Sequence, residues 1–208
     1  MNSERTPAFP SRLPQVGTTI FTVMSALAAQ HQAVNLGQGF PDFDCDPGLV
    51  DGVTAAMKQG HNQYPPMTGV PGLRDAIAAK IEAIYGHCYD AASEITVTAG
   101  ATQAILTAIL CCAGPGDEVI VLEPCYDSYV PNIELAGASV VRVPLVPGSF
   151  RPDWDKIAAA LSPRTRAILI NSPHNPSGMV WSAADMHQLE ELLAPTDVLV
   201  ISDEVYEH

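Results

Sequence analysis

The sequence predicts an α/β fold built on a mostly parallel sheet. Past residue 94, short apolar segments alternate with longer segments whose apolar residues recur at helical spacing. Strands and helices that alternate in this way form parallel sheets, because each helix carries the chain back to the start of the next strand. The predicted strands are Ile95–Thr98, Glu118–Leu122, Ser139–Val143, Ala167–Ile170 and Val198–Ser202, and the predicted helices cover residues 101–113, 126–136, 153–161 and 183–193.

The first part of the chain predicts helices rather than strands. Residues 18–30 show helical spacing, and Thr18 or Thr19 can cap the start of that helix. The segment Val34–Asp42 contains too many glycines for a helix and is predicted to be extended. It is a candidate substrate loop, in which Gly37 and Gly39 permit close approach of the backbone. Two further helices are predicted at Leu49–Met57 and Leu73–Tyr85.

The composition excludes several classes of function. With 47% hydrophobic and 16% charged residues, the chain has the balance of a soluble globular protein. Its net charge of -13 opposes binding to nucleic acid and to anionic lipid, so neither a nucleic-acid nor a membrane partner is expected. The five cysteines form no C-x-x-C pair, and Cys111 and Cys112 fall in a helix predicted to be buried, which favours reduced thiols. With no export pattern and no apolar run of membrane-spanning length, the sequence predicts a cytoplasmic protein. No residue is assigned as a metal ligand.

The ends of the predicted strands are where a ligand is expected. Open parallel sheets bind ligands beyond the carboxyl ends of their strands. One end, residues 144–148, carries only turn-forming residues and is interpreted as structural. The other four carry side chains suited to binding: Ala99–Thr102, Glu123–Tyr126, Asn171–Gly178 and Asp203–Tyr206.

The segment Gly100-Ala101-Thr102 joins a predicted strand to a helix. The first free amide groups of a helix and the positive end of its dipole can bind a phosphate group. Glycine after a strand and a threonine cap also occur widely in α/β proteins, so the segment alone is not specific. The absence of G-x-G-x-x-G and G-x-x-x-x-G-K-[ST] motifs argues against dinucleotides and nucleoside triphosphates.

The next strand ends carry an aromatic ring and a fixed amide. Tyr126 can stack on a flat heterocycle or pack at the start of its helix, and Tyr129 competes for the stacking role. Two prolines bracket Asn175, so its amide is held in a rigid loop where it can donate to a ring oxygen. A purely structural Asn-Pro turn is the alternative. His174 has no evident partner and is interpreted as a solvated loop histidine.

Asp203 and Tyr206 follow the last predicted strand. A carboxylate beside an apolar strand needs a cationic or hydrogen-bonding partner, because an unpaired buried charge is costly. A protonated pyridine nitrogen meets that need, and the ionised acid keeps the ring charged, which makes it an electron sink. Tyr206 can reach the ring oxygen that Asn175 also serves. The alternatives are an aspartate that caps the next turn and a tyrosine that packs at the sheet border.

In combination these segments resemble the fold type I pyridoxal phosphate enzymes, specifically the class I/II aminotransferases. The resemblance runs from about residue 20 to His208 and is strongest for the methionine, kynurenine and glutamine aminotransferase branch. The run Tyr64–Val70 is similar to that of bacterial methionine aminotransferases. The segments that carry the resemblance are Asn35–Phe43, Asn62–Tyr64, Thr96–Gln103, Asn171–Gly178 and Ser202–Tyr206.

The resemblance implies a fold and a domain arrangement. The fold is the three-layer large domain of an aminotransferase, incomplete in this chain, with an N-terminal helical arm. Residues 1–40 are expected to belong to the small domain. Residues 41–208 are expected to form the large domain that binds pyridoxal phosphate, truncated on its C-terminal side.

The resemblance also implies a role for each candidate site residue. Gly100, Ala101 and Thr102 hold the phosphate, Tyr126 stacks on the ring, Asn175 and Tyr206 bond the ring oxygen, and Asp203 pairs with the ring nitrogen. Gly39 and Asn175 contact the substrate carboxylate. Tyr64 reaches across the interface of a homodimer to the partner's phosphate, and Glu123-Pro124 and Asn175-Pro176 are candidates for cis peptide bonds.

The activity implied is transfer of an amino group from an L-amino acid, methionine or another apolar or aromatic one, to a 2-oxo acid. The Schiff-base lysine of the family lies beyond His208, because Lys58, Lys80 and Lys156 match no such context. We therefore expect these 208 residues alone to be inactive. The alternatives are a pyridoxal phosphate C–S lyase and a non-catalytic regulator that binds the cofactor, and the scarcity of basic residues near the amino terminus disfavours the regulator.

Overall fold

A computed structural model describes residues 11–39 and 41–207 of the chain. Contacts divide the described residues into two compact units, one within Thr18–Thr98 and one of residues 99–207 together with residues 11–17. The predicted boundary at residue 40 between a small and a large domain stays a prediction. Within the described ranges, no helix combines the length and the apolarity that crossing a bilayer requires.

The Thr18–Thr98 unit contains three helices, as predicted. Thr19 caps the first by accepting a hydrogen bond from the Thr22 amide, and a proline occupies the first turn of each of the other two, which fixes where they begin. The helices are α1 (Ile20–Gln30), α2 (Pro47–Lys58) and α3 (Pro71–Tyr85).

The predicted strand Ile95–Thr98 is wrong. A strand is defined by its backbone pairing, and among the described residues this segment forms none with another strand. The Val97 amide instead donates to the Thr68 carbonyl at 3.0 Å, which ties the segment to the loop before α3. The apolar residues in Ile95–Thr98 suggested a strand, but periodicity cannot supply a pairing partner.

The second unit, from Ala99 onward, is an α/β sheet whose four strands are all parallel, in the order β2-β1-β3-β4. The fold class predicted from the sequence is therefore confirmed. In chain order the elements are α4 (Ala101–Cys112), β1 (Glu118–Glu123), α5 (Tyr129–Ala136), β2 (Ser139–Pro144), α6 (Trp154–Ala160), β3 (Thr165–Asn171), α7 (Ala183–Leu193) and β4 (Leu199–Asp203).

The sheet forms the middle of three layers because its strands are apolar on both faces. Along β1, Val119 and Val121 belong to one buried cluster, and Ile120 and Leu122 belong to the other. The first cluster includes side chains of α4 and α5, and the second includes side chains of α6 and α7. Two helices therefore cover each face of the sheet.

Helix α5 begins three residues later than predicted, at Tyr129, because Tyr126 to Ser128 form a turn closed by the Tyr129 amide and the Tyr126 carbonyl at 3.2 Å. The prediction of a buried Cys111–Cys112 pair is wrong for Cys111, which is exposed. Helix α4 buries a stripe of every fourth residue, Ile105 and Ile109, and Cys111 faces away from it. All five cysteines are free.

Candidate cofactor site

A pocket of about 210 Å³ lies at the carboxyl ends of β3 and β4 and the amino end of α4. The structure brings together six of the predicted site residues in its wall. No described residue from the end of β2 lines it, as expected for the strand end interpreted as structural. The residues that line the pocket are Ala101, Thr102, Ile105, Tyr126, Tyr129, Asn171, Asn175, Asp203, Val205 and Tyr206.

The segment predicted to bind phosphate lies at the start of α4. Gly100 precedes the helix with φ of 85°, a conformation that side chains other than glycine rarely adopt. The Gln103 side chain accepts a hydrogen bond from the Ala99 amide at 2.6 Å and so fixes the entry into the helix. Ala101 and Thr102 line the pocket, and the first amide groups of a helix have no partner within it. The local geometry therefore suits an anion.

Asp203 is buried in the pocket wall, with only 8% of its surface exposed. Its Oδ2 accepts a hydrogen bond from the Tyr129 hydroxyl at 2.6 Å, and its Oδ1 accepts one from the Val205 amide at 3.2 Å. None of the ion pairs formed by the described residues includes Asp203. A buried carboxylate without a cationic partner, facing a pocket, fits a positively charged ligand group.

Tyr129 is held by a hydrogen bond to Asp203 and is not free to stack on a ligand ring. Its side chain is only 2% exposed, and burial, reinforced by the hydrogen bond to the Asp203 carboxylate, raises the pKa of its hydroxyl well above the ordinary value. Its hydroxyl is therefore a donor at every physiological pH. Tyr126 packs against it edge to face, with ring centroids 5.9 Å apart, and keeps its own ring in the pocket wall. Of the two tyrosines, Tyr126 is the one available for stacking.

Asn171 links the ends of β3 and β4. It is paired with Asp203 in the sheet register, and its side-chain amide donates to the Asp203 carbonyl at 2.8 Å. Its Oδ1 accepts a hydrogen bond from the Asn175 amide at 2.7 Å. One buried side chain thus fixes both the strand that carries Asp203 and the loop that carries Asn175.

Asn175 and Tyr206 lie side by side in the pocket wall, with Asn175 Nδ2 3.5 Å from the Tyr206 hydroxyl. That separation is long for a hydrogen bond, so both groups can donate to one shared oxygen. The predicted cis bonds at Glu123-Pro124 and Asn175-Pro176 are confirmed, and Ser172-Pro173 is also cis. Gly39 and Tyr64 belong to the Thr18–Thr98 unit, and their assigned roles stay predictions.

The interpretation of His174 as a solvated loop histidine is wrong. Its side chain is only 6% exposed, its Nε2 lies 2.9 Å from the Pro124 carbonyl oxygen, and its Nδ1 lies 2.6 Å from the Ser177 hydroxyl. Sequence reasoning missed this because one partner is 50 positions away in the chain. It also missed the hydrogen bonds of Tyr129 and Asn171 to Asp203, which depend on how the strands pair.

The family model for class I and II aminotransferases matches residues 31–208. This chain belongs to that family. Its members depend on pyridoxal phosphate.

Individual relatives show the same membership. The chain is 56% identical over 203 residues to the methionine aminotransferase of Escherichia coli, which covers 97% of this chain and 53% of that protein. It is 50% identical over 200 residues to a probable N-succinyldiaminopimelate aminotransferase of Mycobacterium tuberculosis, covering 95% of this chain and 50% of the relative. The chain therefore spans about half the length of the curated relatives it matches.

Solved structures of aminotransferases share the fold. A crystal structure from Escherichia coli that identifies a methionine aminotransferase function superimposes with a TM-score of 0.93 at 56% identity, covering 97% of this chain and 53% of that one. The N-succinyldiaminopimelate aminotransferase structure from Mycobacterium tuberculosis gives a TM-score of 0.91 at 49% identity, with the same coverage of each chain.

Proposed function

We propose that the full-length protein transfers an amino group from an L-amino acid to a 2-oxo acid by means of pyridoxal phosphate. The observation that carries this proposal is Asp203, a buried carboxylate that faces a pocket and has hydrogen-bond donors but no cation beside it among the described residues. A protonated ring nitrogen supplies the missing positive charge. Family membership supports the same assignment.

Different residues are proposed to bind different parts of the cofactor. Gly100, Ala101 and Thr102 hold the phosphate at the start of α4, and Tyr126 stacks on the ring. Asn175 and Tyr206 donate to the ring oxygen, a role supported by their adjacent positions. The bound cofactor supplies an electron sink that allows a bond at the substrate α-carbon to break. Asp203 sustains that property by keeping the ring nitrogen charged.

The substrate is proposed to be methionine or another apolar or aromatic L-amino acid, with Gly39 and Asn175 at its carboxylate. The 56% identity to a methionine aminotransferase supports methionine as the first compound to test. None of the described residues that line the pocket is a lysine. We propose that the covalent lysine comes from a part of the protein outside these residues, so the 208-residue chain alone has no turnover.

The protein is proposed to act in the cytoplasm as a homodimer, with Tyr64 reaching the phosphate bound by the partner. Tyr64 is fully exposed in the single chain, which supports a role outside its own fold. Replacement of Tyr64 by Phe is then expected to weaken cofactor binding and to leave the dimer intact in sedimentation.

The test is an assay of the full-length protein with single L-amino acids and a 2-oxo acid acceptor. The proposal predicts that methionine disappears as its 2-oxo acid and the new amino acid form in equal amounts. Release of ammonia and a thiol without the acceptor would identify a C–S lyase and overturn the assignment. The isolated 208-residue chain, assayed in parallel, should be inactive, and turnover by it would refute the proposed external lysine.

A further inference from the structure

Two loops carry the groups proposed to bind the cofactor ring. The loop after β1 carries Tyr126, and the loop after β3 carries Asn175. The side chain of His174 connects them: its Nε2 lies 2.9 Å from the carbonyl oxygen of Pro124, two positions before Tyr126, and the residue itself directly precedes Asn175. The imidazole is only 6% exposed, so water does not compete for these bonds.

The hydrogen bonds define the state of the imidazole. The Pro124 carbonyl can only accept, so Nε2 carries the hydrogen, and Nδ1 accepts from the Ser177 hydroxyl at 2.6 Å. Burial lowers the pKa of His174 below its ordinary value of 6.5, which favours the neutral ring. The titratable groups that line the small cavity beside it are Cys125 and Tyr129, and burial raises the pKa of both, so neither brings a charge to the ring near neutral pH.

The backbone of His174 is anchored as firmly as its side chain. Its amide donates to the Met179 carbonyl at 2.9 Å, and its carbonyl accepts from the Gly178 amide at 2.7 Å. The Ser177 hydroxyl that serves Nδ1 also accepts from the Met179 amide at 3.2 Å. The loop after β3 therefore presents the imidazole at a fixed position, and the bond to Pro124 transmits that position to the loop after β1.

We propose that His174 is a positioning residue of the cofactor site, whose Nε2–H bond to Pro124 fixes the spacing between the stacking ring of Tyr126 and the amide of Asn175. This inference rests on the proposed function, because it concerns how the same pocket holds pyridoxal phosphate. His174 does not line the pocket, so it acts through the two loops and not through contact with the cofactor.

The test compares two substitutions of similar shape in the full-length protein. His174→Gln places an amide N–H where it can donate to Pro124, whereas His174→Met fills similar space without a donor. His174→Met is expected to weaken pyridoxal phosphate binding about tenfold, which is the effect of losing one hydrogen bond of ordinary net strength, and His174→Gln to restore most of it. The circular dichroism of the bound cofactor should fall in the Met variant and recover in the Gln variant, because it reports how asymmetrically the ring is held.

Thermal unfolding of each protein without cofactor separates positioning from stability. If His174→Met is less stable but binds the cofactor with the affinity and circular dichroism of the wild type, the residue is merely structural and the inference is overturned. If His174→Met does not fold, His174→Asn, whose shorter amide cannot reach Pro124, takes its place with the same expected outcome. A wild-type protein that binds no pyridoxal phosphate would overturn the proposed function and this inference with it.

Discussion

Tyr129 determines the orientation of the Asp203 carboxylate. The phenol and the carboxylate are both buried and lie 2.6 Å apart, so the hydrogen bond between them is shielded from water. Hydrogen bonds to charged groups are among the stronger ones in proteins. The acid proposed to pair with the ring nitrogen is therefore held in place by the hydroxyl of a neighbouring tyrosine.

We predict that Tyr129→Phe lowers the free energy of unfolding by about 1–2 kcal/mol, because Asp203 loses a buried donor. The same change should weaken binding of pyridoxal phosphate, measured by titration of its visible absorbance, because the carboxylate is no longer held toward the pocket. Tyr126→Phe is the matched control, since it removes a hydroxyl but keeps the stacking ring. Equal cofactor affinities in the two variants would contradict the role given to Tyr129.

Among individual residues, the sequence predicts those that carry distinctive chemistry. Asp203, Asn175 and Tyr206 could be found because a carboxylate, a fixed amide and a phenol at strand ends are unusual. The residues that connect the site, Asn171 and His174, could not be found in this way. Asn171 contacts Asp203 only because β3 pairs with β4 in a particular register, and His174 meets Pro124 only because two loops fold together.

Helix α7 is the element whose start is fixed most completely by side chains. Ser182 accepts a hydrogen bond from the Asp185 amide, and Asp185 accepts one from the Ser182 amide, which forms a capping box. Arg151 adds an ion pair to Asp185 at 2.5 Å. Burial raises the pKa of Asp185, but the bonds from Ser182 and the charge of Arg151 outweigh it and hold the pKa below the ordinary value.

We expect Ser182→Ala to destabilise the protein by about 1 kcal/mol, because it removes the cap while α7 remains covered by the sheet. Urea unfolding followed by circular dichroism measures the change. Thr107→Ala, which removes an exposed hydroxyl inside α4, serves as control and should leave stability nearly unchanged. A Ser182→Ala protein as stable as the control would show that the capping box contributes nothing measurable.

The helices and strands could be predicted from the sequence wherever the apolar periodicity and the local capping residues agree. Every predicted helix is present, and the four strands of the sheet lie where apolar segments alternate with helices. Ile95–Thr98 failed because a short apolar segment becomes a strand only when another strand pairs with it. The start of α5 was placed too early, although Ser128, a residue type favoured at N-caps, directly precedes the helix and marks its start.

The whole molecule should lose stability in two stages as pH falls. Burial holds the pKa of His174 below 6.5, so the unfolded chain binds a proton that the folded chain does not, and stability declines as pH drops below 6.5. Hydrogen bonds and basic partners lower the pKa of several carboxyls below 3.8. The stability that these carboxylates contribute is therefore present above that pH and is lost as the pH falls below it. These carboxyls include Asp117, paired with Arg166, and Asp153, paired with Lys156.

The urea midpoint of the full-length protein, measured at intervals between about pH 7.5 and about pH 3, tests this prediction. His174→Gln should flatten the upper stage and leave the lower one, because glutamine does not titrate. A midpoint that stays constant from about pH 7 to about pH 5 in the wild type would contradict the assignment of a buried neutral histidine.

The protonation state of the cofactor ring nitrogen gives the most direct test of the role of Asp203. We predict that pyridoxal phosphate labelled with ¹⁵N at that position, bound to the full-length protein near neutral pH, gives the chemical shift of a protonated nitrogen. Asp203→Ala should move the signal to the unprotonated range. An unprotonated signal in the wild type, or a protonated one that survives the loss of Asp203, would contradict the claim that this buried carboxylate keeps the ring charged.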